Sequence, residues 1–302
     1  MTFDFVSGSG STATPAVAAS RAADAERLVS SLTAELAADK IDLPSFPEVA
    51  SRVRKALAND DVDIDDAIRI ISAEPALAAR LLQVANSAAM NSSGRRIADL
   101  RQALSRVGFN MARSAAIAFA MSQLRRAEAY RGIERPLDEL WQHSTHVAAV
   151  SHVVARRFTR VNPDTALLAG LLHSVGRLYL LTRAVRFPAV LADAALYQRI
   201  VAELHGRVAY AILHHWDIAD EILAAVLACE NPDREHEGAT DLTDVLAVGG
   251  ALAALGTDPL PGQMLFLGMP AARRMALDAE ACSAALRESH QEIVSLRQAL
   301  GS

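Results

Sequence analysis

Nine histidines carry most of the chemistry open to this 302-residue chain, and their spacing sorts them. His143, Val147, Val150 and Val154 recur at steps of four, three and four, so they share one helix face and His143 points inward with the valines. His146 lies about 60° around that helix at the border of the face, and His152 about 180° away, where solvent is expected. His173 closes the apolar stretch LLAGLL, and His205 begins an amphipathic helix with Val208, Ile212 and Leu213. Neutral imidazole is a common metal ligand, so three inward histidines on three helices could converge on one ion. The same three could be core residues held by hydrogen bonds, and spacing by itself favours this second reading. His214-His215 stands at a helix end, where adjacent side chains diverge by about 100°, which suits capping and packing better than joint ligation. His236 and His290 sit among charged residues and are expected to be exposed.

The elements that must position these residues read as helices throughout. Alanine and leucine dominate, aromatic residues are 5%, and alternating β-branched runs with Asn-Gly turns are missing, so the fold class expected is all-α. With 51% apolar and 22% charged residues the chain suits a globular protein of one or two domains. A net charge of −5 lacks the basic surface that nonspecific nucleic-acid binding needs. Cys229 and Cys282 form no C-x-x-C pair, so a disulfide framework is not expected and a reducing cytoplasm fits. The opening MTFDFVSGSGSTATPAVAAS has no basic n-region and no long apolar core; residues 1–20 read as a flexible leader rather than a secretory signal. Apolar runs such as 167–172 fall short of the roughly 20 residues that span a bilayer.

Boundary signals divide the chain further. A first helix is expected over Arg21 to Ala38, with Leu28, Leu32 and Leu36 on one ridge. In LPSFPEVASRVRKAL, Pro44 and Pro47 launch a second, and the acidic NDDVDIDD (59–66) caps the next rather than binding calcium, since the EF-hand glycine and final glutamate are missing. Ser72 reads as a cap with Pro75 in the first turn, ahead of a face made by Leu77, Leu81, Val84 and Ala85. Gly108 separates Leu104 from a small-residue helix over Ala115 to Met121, and RRAEAYRGIERP ends a first lobe near Pro136. The second lobe starts with Leu137 to Phe158. In VNPDTALLAGLLHSVG, Asn162 caps, Pro163 takes the first helical position and Gly176 ends the element. A charged loop at 231–241 leads to a last helical section, 242–302, with a Gly/Pro break at 256–270. No internal repeat and no Gly-rich phosphate loop is present.

Several of these segments together resemble the HDOD domain, the output-type relative of the HD-class metal-dependent phosphohydrolases. The first lobe matches in LPSFPEVASRV, ISAEPALAARLLQVANSA and IADLRQALSRVGFNMAR. The second matches in LWQHSTHVAAV, ALLAGLLHSVGRLYLL and ELHGRVAYAILHHWDIADEI, over roughly residues 40–232. The resemblance implies a multi-helix fold with a domain over 21–235, split into a helical lobe (21–135) and an HD-like lobe (136–235), followed by a C-terminal helical extension (236–302).

Set against catalytic HD and HD-GYP relatives, His143 matches the first histidine, His173 the histidine of the His-Asp pair, and His205 the next one. Ser174 stands where the aspartate would be, Cys229-Glu230 where a His-His pair would be, and a later aspartate falls near Gly250. A hydrolytic centre of this class needs carboxylates to balance the ion and activate water, which serine and glycine do not supply. The resemblance therefore implies a noncatalytic bacterial signalling protein acting through contacts with other signalling proteins, with no cofactor and no catalytic residue. His143, His173, Ser174, His205, Cys229 and Glu230 are left as the remnant pocket. Two other functions stay open: a divergent phosphohydrolase with metal on His143, His173 and His205, where Glu230 and Cys229 could add ligands, or a nucleotide sensor in which Arg95-Arg96 or Arg125-Arg126 hold phosphates. A homodimer is left open, and neither membrane nor nucleic acid is expected as a partner.

Overall fold

Helix propensity is expressed almost everywhere in the computed structural model of the chain, which describes residues 15–38, 41, 63–91, 93–125, 127–255, 268–277 and 279–301. Among the described residues there is no strand. The first half contains α1 (Pro15–Ala37), α2 (Ile64–Ser72), α3 (Pro75–Ala85) and α4 (Leu100–Arg125), and then the long α5 (Glu134–Phe158). The second half contains α6 (Pro163–Leu172), α7 (Val175–Ala184), the short α8 (Pro188–Leu191), α9 (Ala194–His215), α10 (Asp220–Ala228) and α11 (Leu242–Leu255). After it come α12 (Pro270–Arg274), α13 (Ala279–Glu288) and α14 (His290–Leu300).

Most starts follow local chemistry. Asp63 caps α2, Asp193 caps α9, and Asn162 Oδ1 accepts from the backbone N–H groups of Asp164 (2.9 Å) and Thr165 (3.1 Å) ahead of Pro163. Gly108 adopts φ 74°, ψ 173° and kinks α4, a backbone state that side chains rarely take.

Other expectations need correction. The first helix begins at Pro15, because the alanine-rich PAVAAS extends it backward from Arg21; of the expected leader, residues 1–14 lie outside the described residues, as do Pro44 and Pro47. Ser72 is the last residue of α2 and not a cap. The turn falls at Ala73-Glu74, since a residue before proline is pushed out of the helical region. His205 lies well inside α9, which starts at Ala194. Gly176 does not end a helix but sits within α7, where a Cβ would lie 2.1 Å from the His205 carbonyl oxygen, so α7 and α9 can meet only over a glycine.

α5 is the central rod. It packs against α6, α11 and α14, with further contacts to α4, α7 and α13. From Val147 through Ala155 every side chain is buried. His152 is therefore buried rather than solvent-facing. Its Nδ1–H donates to the Pro163 carbonyl (3.2 Å), and Glu292 of α14 lies 3.8 Å from its Nε2. The last helix also reaches back to α3, the turn after it and α5: Arg80 donates to the Ala299 carbonyl (3.0 Å), Ser295 accepts from the Ala88 N–H (2.7 Å), and Trp141 Nε1 donates to the Gly301 carbonyl (3.3 Å). Pro163–Ala184 is the one described segment long and apolar enough to cross a membrane, and 83% of its most apolar window is buried inside the protein.

Candidate functional site

His143 lies on α5, and His173 stands at the break between α6 and α7. Cys229 and Glu230 follow the end of α10. These four, with Gly250 of α11, line one cavity of about 490 Å³. The His143 and His173 rings meet edge to face, with centroids 5.3 Å apart and planes at 66°. His173 Nδ1 is 2.7 Å from the Gly170 carbonyl oxygen. A carbonyl only accepts, so Nδ1 carries the proton and Nε2 the lone pair. Burial pushes both imidazoles below their ordinary range, His143 to about 3 with the neighbouring His173 ring adding to it. Both rings are neutral at pH 7.

Glu230 is already committed. Arg177 Nη2 lies 2.9 and 3.0 Å from its two oxygens, and His205 Nε2 is 3.2 Å away. Burial works to raise this carboxyl, but the hydrogen bond from His205 and the Arg177 guanidinium outweigh it and hold it at about 2. Burial, and then the Glu230 charge, pushes the Cys229 thiol up to about 12, and its S–H donates to the Val226 carbonyl (3.4 Å).

The remnant-pocket residues thus separate into groups. His143, His173, Cys229 and Glu230 share the cavity, and His205 reaches it through Glu230. Ser174 does not line it. Its hydroxyl bonds the Ser144 hydroxyl beside a separate small void bordered by Met121, Trp141 and Leu178. Ser144 also donates to the Leu140 carbonyl (2.9 Å), which makes Ser174 the donor between the two. Arg177 is the residue that spacing analysis missed. Its position one turn beyond His173, in the Gly-Arg step, was the available signal. Of the proposed phosphate holders, Arg95 and Arg96 are exposed, and the Arg125 and Arg126 side chains lie outside the described residues. His214 and His215 are exposed at the end of α9, and His290 is exposed at the start of α14.

The cavity's donor set does not fit a hydrolytic metal centre. Its carboxylate is already held by a guanidinium, and the residue in the aspartate position is a serine that faces elsewhere. Among the described residues, three ligand atoms within 4.8 Å of one another occur only at His236, Asp241 and Asp244. His236 is accordingly not simply exposed: its Nε2 lies 2.9 Å from Asp244. Arg234 and Arg274 already hold those carboxylates, so this cluster anchors the first turn of α11.

Comparison with known proteins places this geometry. Residues 43–232 match the model of the HDOD domain family. A curated, uncharacterized protein of Treponema pallidum (strain Nichols) is 21% identical over 204 residues, 63% of this chain; the chain spans 38% of that relative's length. A crystal structure of a candidate metal-dependent phosphohydrolase from Shewanella amazonensis SB2B superposes with a TM-score of 0.72 at 24% identity, covering 92% of this chain and 99% of that one. A candidate signal transduction protein from Marinobacter aquaeolei VT8 superposes with a TM-score of 0.58 at 21% identity, covering 93% of this chain and 66% of that one. Both are likenesses of fold.

Proposed function

This chain belongs to the HDOD domain family, and we propose that it is a noncatalytic regulatory protein of bacterial signal transduction that acts by contacting other signalling proteins. The observation that carries the reading is the Arg177–Glu230–His205 cluster, which occupies the cavity's carboxylate. A water-activating ion would have to displace a guanidinium that binds both carboxylate oxygens, with no second carboxylate among the described residues of the lining to help it. Under this reading the domain runs over 21–235 in lobes 21–135 and 136–235. The helices of 236–302 brace it and present further surface, and the protein works in the cytoplasm.

The test is metal analysis of the purified chain, followed by hydrolysis assays on bis(p-nitrophenyl) phosphate and a cyclic dinucleotide with added Mg²⁺, Mn²⁺ or Zn²⁺. The reading expects no turnover that depends on His173. Stoichiometric metal together with hydrolysis that disappears in His173→Ala would overturn it in favour of a divergent phosphohydrolase.

A further inference from the structure

We infer that the cavity between α5, α11, the start of α7 and the end of α10 binds an uncharged, mainly apolar small molecule carrying an O–H or N–H donor, of the phenol type. This goes beyond the regulatory reading by giving it a chemical input, and either can fail without the other.

Size comes first. About 490 Å³ lies within the range of small-molecule sites, and the walls away from the polar edge are carbon: Leu140, Val147, Leu246, Ala247 and Ala251. Polarity comes next. His143 has no hydrogen-bond partner among the described residues, although it borders the cavity, and His173 spends its proton on Gly170 and keeps a lone pair on Nε2. With the Nδ1 proton spent on Gly170 and carbon walls around the two rings, what the site offers is an imidazole acceptor in a mainly apolar chamber. Charge then decides against the obvious competitor. Arg177 is the cavity's cation and is paired through both oxygens of Glu230, so a phosphate would have to break that pair and meet the carboxylate. The chamber also has unused room on α11, where a Cβ on Gly250 would meet nothing within 4 Å.

Three probes of one shape separate the outcomes on the full chain: 1-naphthol, 1-methoxynaphthalene and 1-naphthyl phosphate. The expected result is saturable one-to-one binding of 1-naphthol. The methyl ether should bind about tenfold more weakly, the worth of one neutral hydrogen bond, and the phosphate should not saturate in the same range. His173→Phe, which removes the Nε2 acceptor, should cost 1-naphthol about tenfold while leaving the ether unchanged, which a merely structural role would not do. Gly250→Leu should abolish binding while raising the melting temperature, because it fills the chamber and removes a glycine from a helix interior. The inference is overturned if 1-naphthol shows no saturable binding, if the phosphate binds tightest, or if 1-naphthol binding survives Gly250→Leu. Failure of these titrations leaves the hydrolysis and metal assays, and hence the regulatory reading, untouched.

Discussion

Asp244→Asn tests how α11, one wall of the cavity, is held. The Asp244 side chain is 1% exposed and receives Arg274 Nη1 at 2.9 Å, Arg234 Nη1 at 3.3 Å and His236 Nε2 at 2.9 Å. Removing one partner of a buried ion pair costs about 3–5 kcal/mol. Here the amide keeps an acceptor oxygen, Arg234 keeps Asp241 (2.6 Å), and Arg274 keeps the His236 carbonyl (3.0 Å). The cost should therefore fall to about 2–3 kcal/mol. A chain of 302 residues unfolds with an entropy of about 0.6 kcal/mol per kelvin, so the melting temperature should drop by about 3–5 °C. The effect should depend on pH. The Asp244 hydrogen bond, first among its surroundings, raises His236 above its ordinary value of 6.5. Its ion-pair contribution is therefore complete below about pH 6.5 and fades as pH climbs through the higher folded value. Calorimetry at pH 6 and pH 9 should show the gap between wild type and variant narrowing. A drop under about 1 °C at pH 6, or a gap that widens with pH, would refute the anchoring argument.

Two further outcomes follow from close contacts elsewhere. Gly176→Ala must push α7 and α9 apart, because its Cβ would lie 2.1 Å from the His205 carbonyl oxygen. The overpacking cost of about 1–3 kcal/mol should appear as a lower urea midpoint, and an unchanged midpoint would count against the contact. His152 has its pKa lowered by burial to about 4, so the unfolded chain takes up a proton between pH 6.5 and 4 that the folded chain resists, and stability falls across that window as pH falls. His152→Gln should flatten the fall measured from urea midpoints at pH 7 and pH 4.5; parallel curves would show that His152 does not titrate on unfolding.

Where local chemistry decides, the structure was legible in advance. Asn162-Pro163 starts a helix because a side-chain oxygen and a fixed φ act on adjacent residues, and Leu77, Leu81, Val84 and Ala85 are buried as their period requires. The resemblance-based comparison also gathered His143, His173, Cys229 and Glu230, which line one cavity. What escaped depends on partners remote in the chain. Angles around α5 put His152 opposite the inward face but could not reveal that α14 covers the other side. Gly176 reads as a terminator until the carbonyl of His205 is known to lie against it. Arg177 looks like an exposed charge until Glu230, at the end of another helix, takes both its hydrogen bonds. His236 gains its role only when Asp244 and Arg274 fold around it.

The seating of α14 also has a consequence for synthesis. It joins residues far behind it on the ribosome, since Arg156 waits 136 residues for Glu292 and Arg80 waits 219 for Ala299. At about 5–20 residues per second, that leaves the apolar flanks of α3 and α5 uncovered for roughly 7 to 44 s in a nascent chain. For that interval the faces of α3 and α5 that α14 covers stay open, so their burial is timed by the arrival of that helix.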